Sequence, residues 1–152
     1  RKPAEVSEIR PGILAGYLQP EALPYSLVLL PPPPAEGSAG QVLDKEVSRK
    51  SFALRGTPRW DLAAQDAEMM FPDAAGTFSC ALNAPITQQD TPHLYMLPRR
   101  TLADAAFSTF AAKNEYQRTR PFMVNGEPTC TPNEEEHLKK DGSYPSGHTA
   151  FG

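Results

Sequence analysis

Apolar residues along this chain fall in short clusters, and where proline leaves them room the spacing is that of a helix. Up to residue 37 it does not leave room. Pro3, Pro11, Pro20, Pro24 and the run Pro31, Pro32, Pro33, Pro34 interrupt "GILAGYL" and "YSLVLL". Proline at that density removes backbone donors and favours extended or polyproline geometry. Residues 1–37 therefore read as a Pro-rich N-terminal arm, either packed on a surface or loose. From Gly40 the texture changes. In "GQVLDKEVSRKSFALRG", Val42, Val47, Phe52 and Leu54 recur at helix-like spacing, and Gly56 is a good terminator. "TPRWDLAAQDAEMM" predicts a second helix with Thr57 at its N-cap and Pro58 at its first position.

Residues 71–86 read as turns. A short helix is predicted from Thr87, with Pro98 separating it from the next one. The clearest helix is "TLADAAFSTFAAKNEYQRT", where Thr101 and Asp104 resemble a capping box and the alanines favour helix. Leu102, Ala106, Phe110, Lys113 and Gln117 then share a face. Pro121 pushes Arg120 out of helical geometry and ends the element. Residues 121–145 form a polar connection carrying "NEEE" and "KKDG". No strand pattern and no internal repeat are visible. The fold class is all-α, with residues 38–152 forming part of a single helical domain.

Composition narrows the function classes. At 152 residues and 39% hydrophobic content the chain can bury a core. A formal charge of -3 gives no general attraction to nucleic acid or anionic membranes, so any basic feature that matters is local. No apolar run approaches the roughly 20 residues of a membrane span. The start, "RKPAEVSEIRPG", lacks the apolar stretch of a secretory signal, as a mature protein relieved of its signal also would. Cys80 and Cys130 permit one disulfide without requiring it.

Two places carry candidate chemistry. Lys113 and Arg120 are seven apart, which on a helix returns nearly to the same azimuth about 10 Å along the axis. Two long cations so placed can close on one anion, the Arg fork suiting two oxygens and Lys acting as a movable charge. A solvated helix face is the ordinary alternative for such a pair. "YPSGHTAFG" is more particular: Ser146 suits an N-cap and Gly147 lets backbone approach a ligand. A helix starting there aims the amides of Gly147 and His148 outward at its positive end. His148 beside a bound phosphate could donate a proton to a leaving group or attack phosphorus. His93 reads as structural and His137 as solvated. No spacing suits a metal site, and no G-x-x-x-x-G-K-[ST] loop exists for a nucleotide.

Together, "KNEYQRTRP" and "YPSGHTAFG" fit the K-x6-R-P … P-S-G-H pattern of the type 2 phosphatidic acid phosphatase superfamily. "LLPPPP", "RGTPRWDLAAQDA" and "KDGSYPSGHTAFG" resemble its soluble bacterial branch, the class A nonspecific acid phosphatases. The resemblance runs from about residue 28 to the last residue. It implies a helical bundle of the acid phosphatase and vanadium haloperoxidase type. It also implies a periplasmic enzyme that hydrolyses phosphate monoesters at acidic pH through a phosphohistidine, without metal or other cofactor. Lys113, Arg120, Ser146 and the amide of Gly147 would bind phosphate, with His148 there as general acid. A vanadium-dependent haloperoxidase is the enzyme alternative. An inactive phosphate-binding module is the non-enzyme one.

The family pattern has a third motif, S-R-x5-H-x3-D, bringing a further Arg, the nucleophilic His and its orienting Asp. Residues 1–152 do not contain it. The expectation is that this chain supplies half of the site, lacks its C-terminal helices and is inactive alone. Its partners would be a second chain holding the missing segment, a phosphate ester or inorganic phosphate, and a second copy in a homodimer. Cys80 would pair with Cys130, or Cys130 with a cysteine of the missing part.

Overall fold

"SAGQ" at residues 38–41 is a start signal of the S-x-x-Q kind, and the first long helix begins on it. Ser38 is extended (φ -69°, ψ 158°) and its hydroxyl accepts the Gln41 amide, while the Gln41 side chain accepts from Gly37 N–H at 2.8 Å. Each side chain thus satisfies a donor that the helix itself cannot. The computed structural model describes residues 3–152; Arg1 and Lys2, the first positions of the Pro-rich arm, lie outside the described residues.

In chain order the elements are a ribbon of β1 (Glu8–Arg10) and β2 (Ile13–Leu14), then α1 (Ser26–Leu29), α2 (Ala39–Ser51), α3 (Pro58–Asp66), α4 (Ala74–Leu82) and α5 (Pro92–Ser108). α6 (Phe110–Tyr116), α7 (Pro121–Asn125), α8 (Glu135–Leu138) and α9 (Gly147–Phe151) follow, with 3-10 turns at Pro20–Ala22, Phe52–Leu54 and Pro132–Glu134. The all-α reading holds, apart from the ribbon that no strand pattern announced. The antiparallel ribbon pairs Glu8 with Leu14 and Arg10 with Ile13, and it turns at Gly12, whose φ of +79° suits glycine. None of the helices among the described residues is long and apolar enough to cross a membrane.

The chain divides into two compact units. Among the described residues the first comprises 3–24, 65–108 and 147–152. Its core is Ala75, Ile86 and Tyr95 with Phe71, Phe78 and Leu94 packed on them, Phe71 meeting Tyr95 edge to face at 5.3 Å. α5 is the spine of this unit. Four residues apart on it, Arg100 and Asp104 hold the segment after β2. Arg100 donates to the carbonyls of Ala15 and Gly16 and lies 3.9 Å from the centre of the Tyr17 ring, while Asp104 accepts the amides of Tyr17 (2.8 Å) and Leu18 (3.3 Å). Asp104 is therefore not half of a capping box. Thr101 lies inside α5 with its hydroxyl donating to Leu97 O, so the helix starts nine residues earlier than the pattern suggested.

Pro98 does not separate two helices either: α5 runs through it. A proline removes one helical donor, and α5 continues past it to bury Tyr95 on one side and Leu102 and Ala103 on the other. The helix predicted at Thr87 begins instead at Pro92; Thr87 and Asp90 form a turn in which Thr87 Oγ1 accepts the Asp90 amide and donates to its carboxylate. The stretch read as turns, residues 71–86, contains α4, whose far end is closed by Asn83 in the left-handed region (φ 50°). Asparagine tolerates that conformation, so a helix could end without glycine.

The second unit comprises residues 25–64 and 109–146. α2 continues into its 3-10 turn and stops at Gly56 (φ +71°), as expected from the sequence. α3 starts on Pro58, with the carbonyl of Thr57 accepting from Trp60 and Asp61. Within this unit α2 is tied to the segment after α6 by Arg118 to Asp44 and by Asn125 to Ser48, and Arg55 pairs with Glu127 at 2.8 Å. The connection over residues 121–145 is less open than expected, since α7 and α8 both lie in it.

Candidate active site

The long helix over residues 101–119 is two elements. α5 ends at Ser108, and α6 begins after Thr109 and closes at Gln117, which sits in the left-handed region (φ 40°, ψ 39°). Lys113 and Arg120 therefore do not share a helix face. Lys113 is in α6. Arg120 is extended (φ -72°, ψ 144°) at the N-cap of α7, the geometry its following proline imposes.

The two cations meet nonetheless. Lys113 Nζ donates to Asp141 Oδ2 at 3.1 Å and to Gly142 O at 2.8 Å. Arg120 Nη2 reaches the same two oxygens at 3.4 Å each, and its Nε donates to Leu138 O at 2.6 Å and Asp141 O at 3.0 Å. The reversal at Gln117 brings Arg120 round to the side that Lys113 faces.

Burial makes this cluster unusual. The Lys113 side chain is 6% exposed and that of Arg120 17%, whereas Asp141 is 43% exposed. Charges so buried need partners, and backbone carbonyls together with one carboxylate supply them. Burial pulls the Arg120 guanidinium below its ordinary range, and the Asp141 charge opposes that shift. Gly142 is buried against α6, where an added Cβ would lie 3.0 Å from Lys113 O. The turn carrying Asp141 thus sits close on the backbone of the helix it charges.

Two residues hold the first turn of α6, and with it Lys113, in place. Ser26 of α1, itself buried, accepts the Ala112 amide at 3.0 Å, filling a donor that the first turn of α6 leaves open. Thr109, also buried, accepts the Lys113 amide at 3.0 Å. Beyond Asp141 the chain is fixed by Ser143 N–H to Arg118 O (2.8 Å) and by the Tyr144 hydroxyl, which donates to Pro31 O (3.0 Å). "LLPPPP" therefore has a structural task in the same unit as the basic pair.

Ser146 closes the second unit, and Gly147 opens α9 in the first. α9 packs on α5, and its Phe151 meets Phe78 of α4 at 5.3 Å, nearly perpendicular. His148 is exposed, with Nε2 at 2.9 Å from Ala67 O. A carbonyl only accepts, so Nε2 carries the proton there, and Nδ1 is the nitrogen open to a substrate. His93 and His137 are both exposed, and the thiols of Cys80 and Cys130 are both unpaired. Among the described residues no cluster of His, Cys, Asp or Glu has the makings of a metal site.

Residue spacing did not reveal Asp141. Its signal was the "KKDG" preceding the serine-glycine-histidine step: an acid beside a glycine, in a turn, close in sequence to a candidate anion site. Its partner Lys113 is 28 residues away, a separation at which no local pattern operates.

Residues 97–152 match the family model described as PAP2 superfamily. That span includes Lys113, Arg120, Asp141, Ser146, Gly147 and His148. A non-specific acid phosphatase of Salmonella typhimurium is 42% identical over 137 residues, covering 90% of this chain and 55% of the relative. A non-specific acid phosphatase of Providencia stuartii is similar to the same extent, at 42% over 137 residues. An acid phosphatase of Zymomonas mobilis is 38% identical over 126 residues, covering 83% of this chain and 48% of the relative. The chain spans about half the length of the curated relatives it matches.

Proposed function

The chain belongs to the PAP2 superfamily, and from that membership we propose that it contributes the phosphate-holding half of an acid phosphatase acting on phosphate monoesters. The observation that carries this is the convergence of Lys113 and Arg120 on a single oxygen, Asp141 Oδ2. A buried and a part-buried cation aimed at one anionic atom can equally hold a phosphoryl oxygen. Their charge is aligned before any ligand arrives, so little reorganisation is needed when negative charge develops.

In the proposed reaction Lys113 and Arg120 neutralise the non-bridging oxygens, assisted by the Ser146 hydroxyl and the Gly147 amide. A histidine of the S-R-x5-H-x3-D motif, which residues 1–152 do not contain, attacks phosphorus. The bond to the ester oxygen breaks as the phosphorus–nitrogen bond forms, and the departing alcohol takes the Nδ1 proton of His148 in its imidazolium form, Nε2 keeping the proton it shares with Ala67 O. Water then attacks the phosphohistidine, giving inorganic phosphate and the free histidine. No metal takes part. The periplasm is the proposed compartment, following the bacterial family the motifs resemble.

The test is hydrolysis of 4-nitrophenyl phosphate in EDTA by this chain, alone and combined with a polypeptide carrying the third motif. The expected result is turnover in the combination only, lost on Lys113→Ala. A strict metal requirement, or full turnover without Lys113, would overturn the proposal.

A further inference from the structure

Resting on that reading of the basic pair, we propose that Asp141 is an internal competitor for the phosphate. Its carboxylate occupies the two cations, and an incoming oxyanion must displace it. Both cations bond the same atom, Oδ2, at 3.1 and 3.4 Å, so the carboxylate stands where a shared ligand oxygen would stand.

The partners are not equally free to move. Lys113 is buried and Arg120 part-buried, and both keep backbone partners, Gly142 O for both and Leu138 O for Arg120. Asp141 is the member nearest solvent, at 43% exposure, and its carboxylate is held by these two cations among the described residues. Loss of the carboxylate contact leaves both cations anchored through carbonyls. Rotation of one exposed side chain is then enough to exchange an internal anion for an external one.

A role in placing the cations would make Asp141 helpful to binding; competition makes it a hindrance, and the two have opposite signs. A state in which the site is already filled lowers apparent affinity by the fraction of molecules left open. Asp141→Asn removes the competing charge at nearly constant shape, and the effect expected from losing one partly exposed carboxylate is about tenfold tighter binding. The ligand class is an oxyanion with at least two oxygens to offer, inorganic phosphate or the phosphoryl group of a monoester.

The experiment is calorimetric titration of inorganic phosphate into the unsubstituted chain, Asp141→Asn, Asp141→Glu and Lys113→Ala. Tighter binding in Asp141→Asn, with Asp141→Glu close to the unsubstituted chain, is the expected result. Equal or weaker binding in Asp141→Asn, while Lys113→Ala abolishes binding, would overturn the competition and leave the phosphate site standing. Absence of Lys113-dependent binding in every form would overturn both. Circular dichroism checks the fold of each variant. Should Asp141→Asn not fold, the carboxyl carbon resonance of Asp141 is followed in the unsubstituted chain during the titration. A shift that saturates with phosphate supports displacement; an unmoved signal at saturation contradicts it.

Discussion

Lys113 Nζ lies 3.1 Å from Asp141 Oδ2 across 28 residues of chain, with the lysine buried and the aspartate partly in solvent. This contact joins α6 to the turn before the serine-glycine-histidine step. It makes the turn a part of the charged site as well as a link to it.

The placement of Lys113 depends on a hydroxyl far away in sequence. Ser26 Oγ accepts the amide of Ala112, and both residues are buried. Ser26→Ala leaves that amide without a partner, and a destabilisation of about 1–2 kcal/mol is expected. Urea unfolding of the two forms checks this, with the midpoint falling and the slope unchanged. An unchanged midpoint would show that the amide finds water instead.

Gly16 is packed against an acid. A Cβ there would overlap Asp104 Oδ1 and lie 2.6 Å from its Cγ. Gly16→Ala is expected to cost roughly 1–3 kcal/mol through that clash and the displaced hydrogen bonds to Tyr17 and Leu18. In an Asp104→Ala background the same substitution should cost less, because the two changes share one contact. Thermal midpoints of the four proteins in the cycle measure the coupling, and strict additivity would contradict the packing described.

As a general acid His148 matters most when the leaving group needs a proton. His148→Ala should therefore reduce turnover of alkyl phosphates much more than turnover of 4-nitrophenyl phosphate, in preparations competent for hydrolysis. Equal losses on both substrates would count against proton donation.

Two exposed carboxylates give the chain a pH response. The Arg49 hydrogen bond holds Glu46 below its ordinary value of 4.5, and the Lys139 hydrogen bond does the same for Glu136. A carboxyl lowered on folding stabilises above its unfolded value, and this is lost as pH falls through the folded one. The thermal midpoint should therefore drop as pH is lowered from about 6 to about 3, and less steeply in a Glu46→Gln, Glu136→Gln double variant. Parallel profiles would contradict these assignments. Both pairs are on the surface, so added salt should shrink the difference.

Local signals were read well where the chemistry is local. Gly56 ends α2, Pro58 starts α3, and Pro121 fixes Arg120 in extended geometry. The motif that carries the family resemblance was legible because its residues are close together in sequence. Other features were hidden because they are decided at a distance. Gln117 takes a left-handed conformation in a sequence that favours continued helix, and the return contact of residues 138–142 with Lys113 and Arg120 accompanies it. α5 keeps Pro98 with Tyr95, Leu102 and Ala103 buried on either side of it, an outcome that proline's own preference opposes. The ribbon is only three and two residues long, too short for alternation to show, and the segment that follows it is held by Arg100 and Asp104.

The most direct measurement of the central claim, that Lys113 and Arg120 form an oxyanion site, is the heat of binding of inorganic phosphate to this chain and to its Lys113→Ala variant. Saturable binding that disappears with the lysine is the expected result. Binding that survives Lys113→Ala unchanged would place the phosphate elsewhere and contradict the claim.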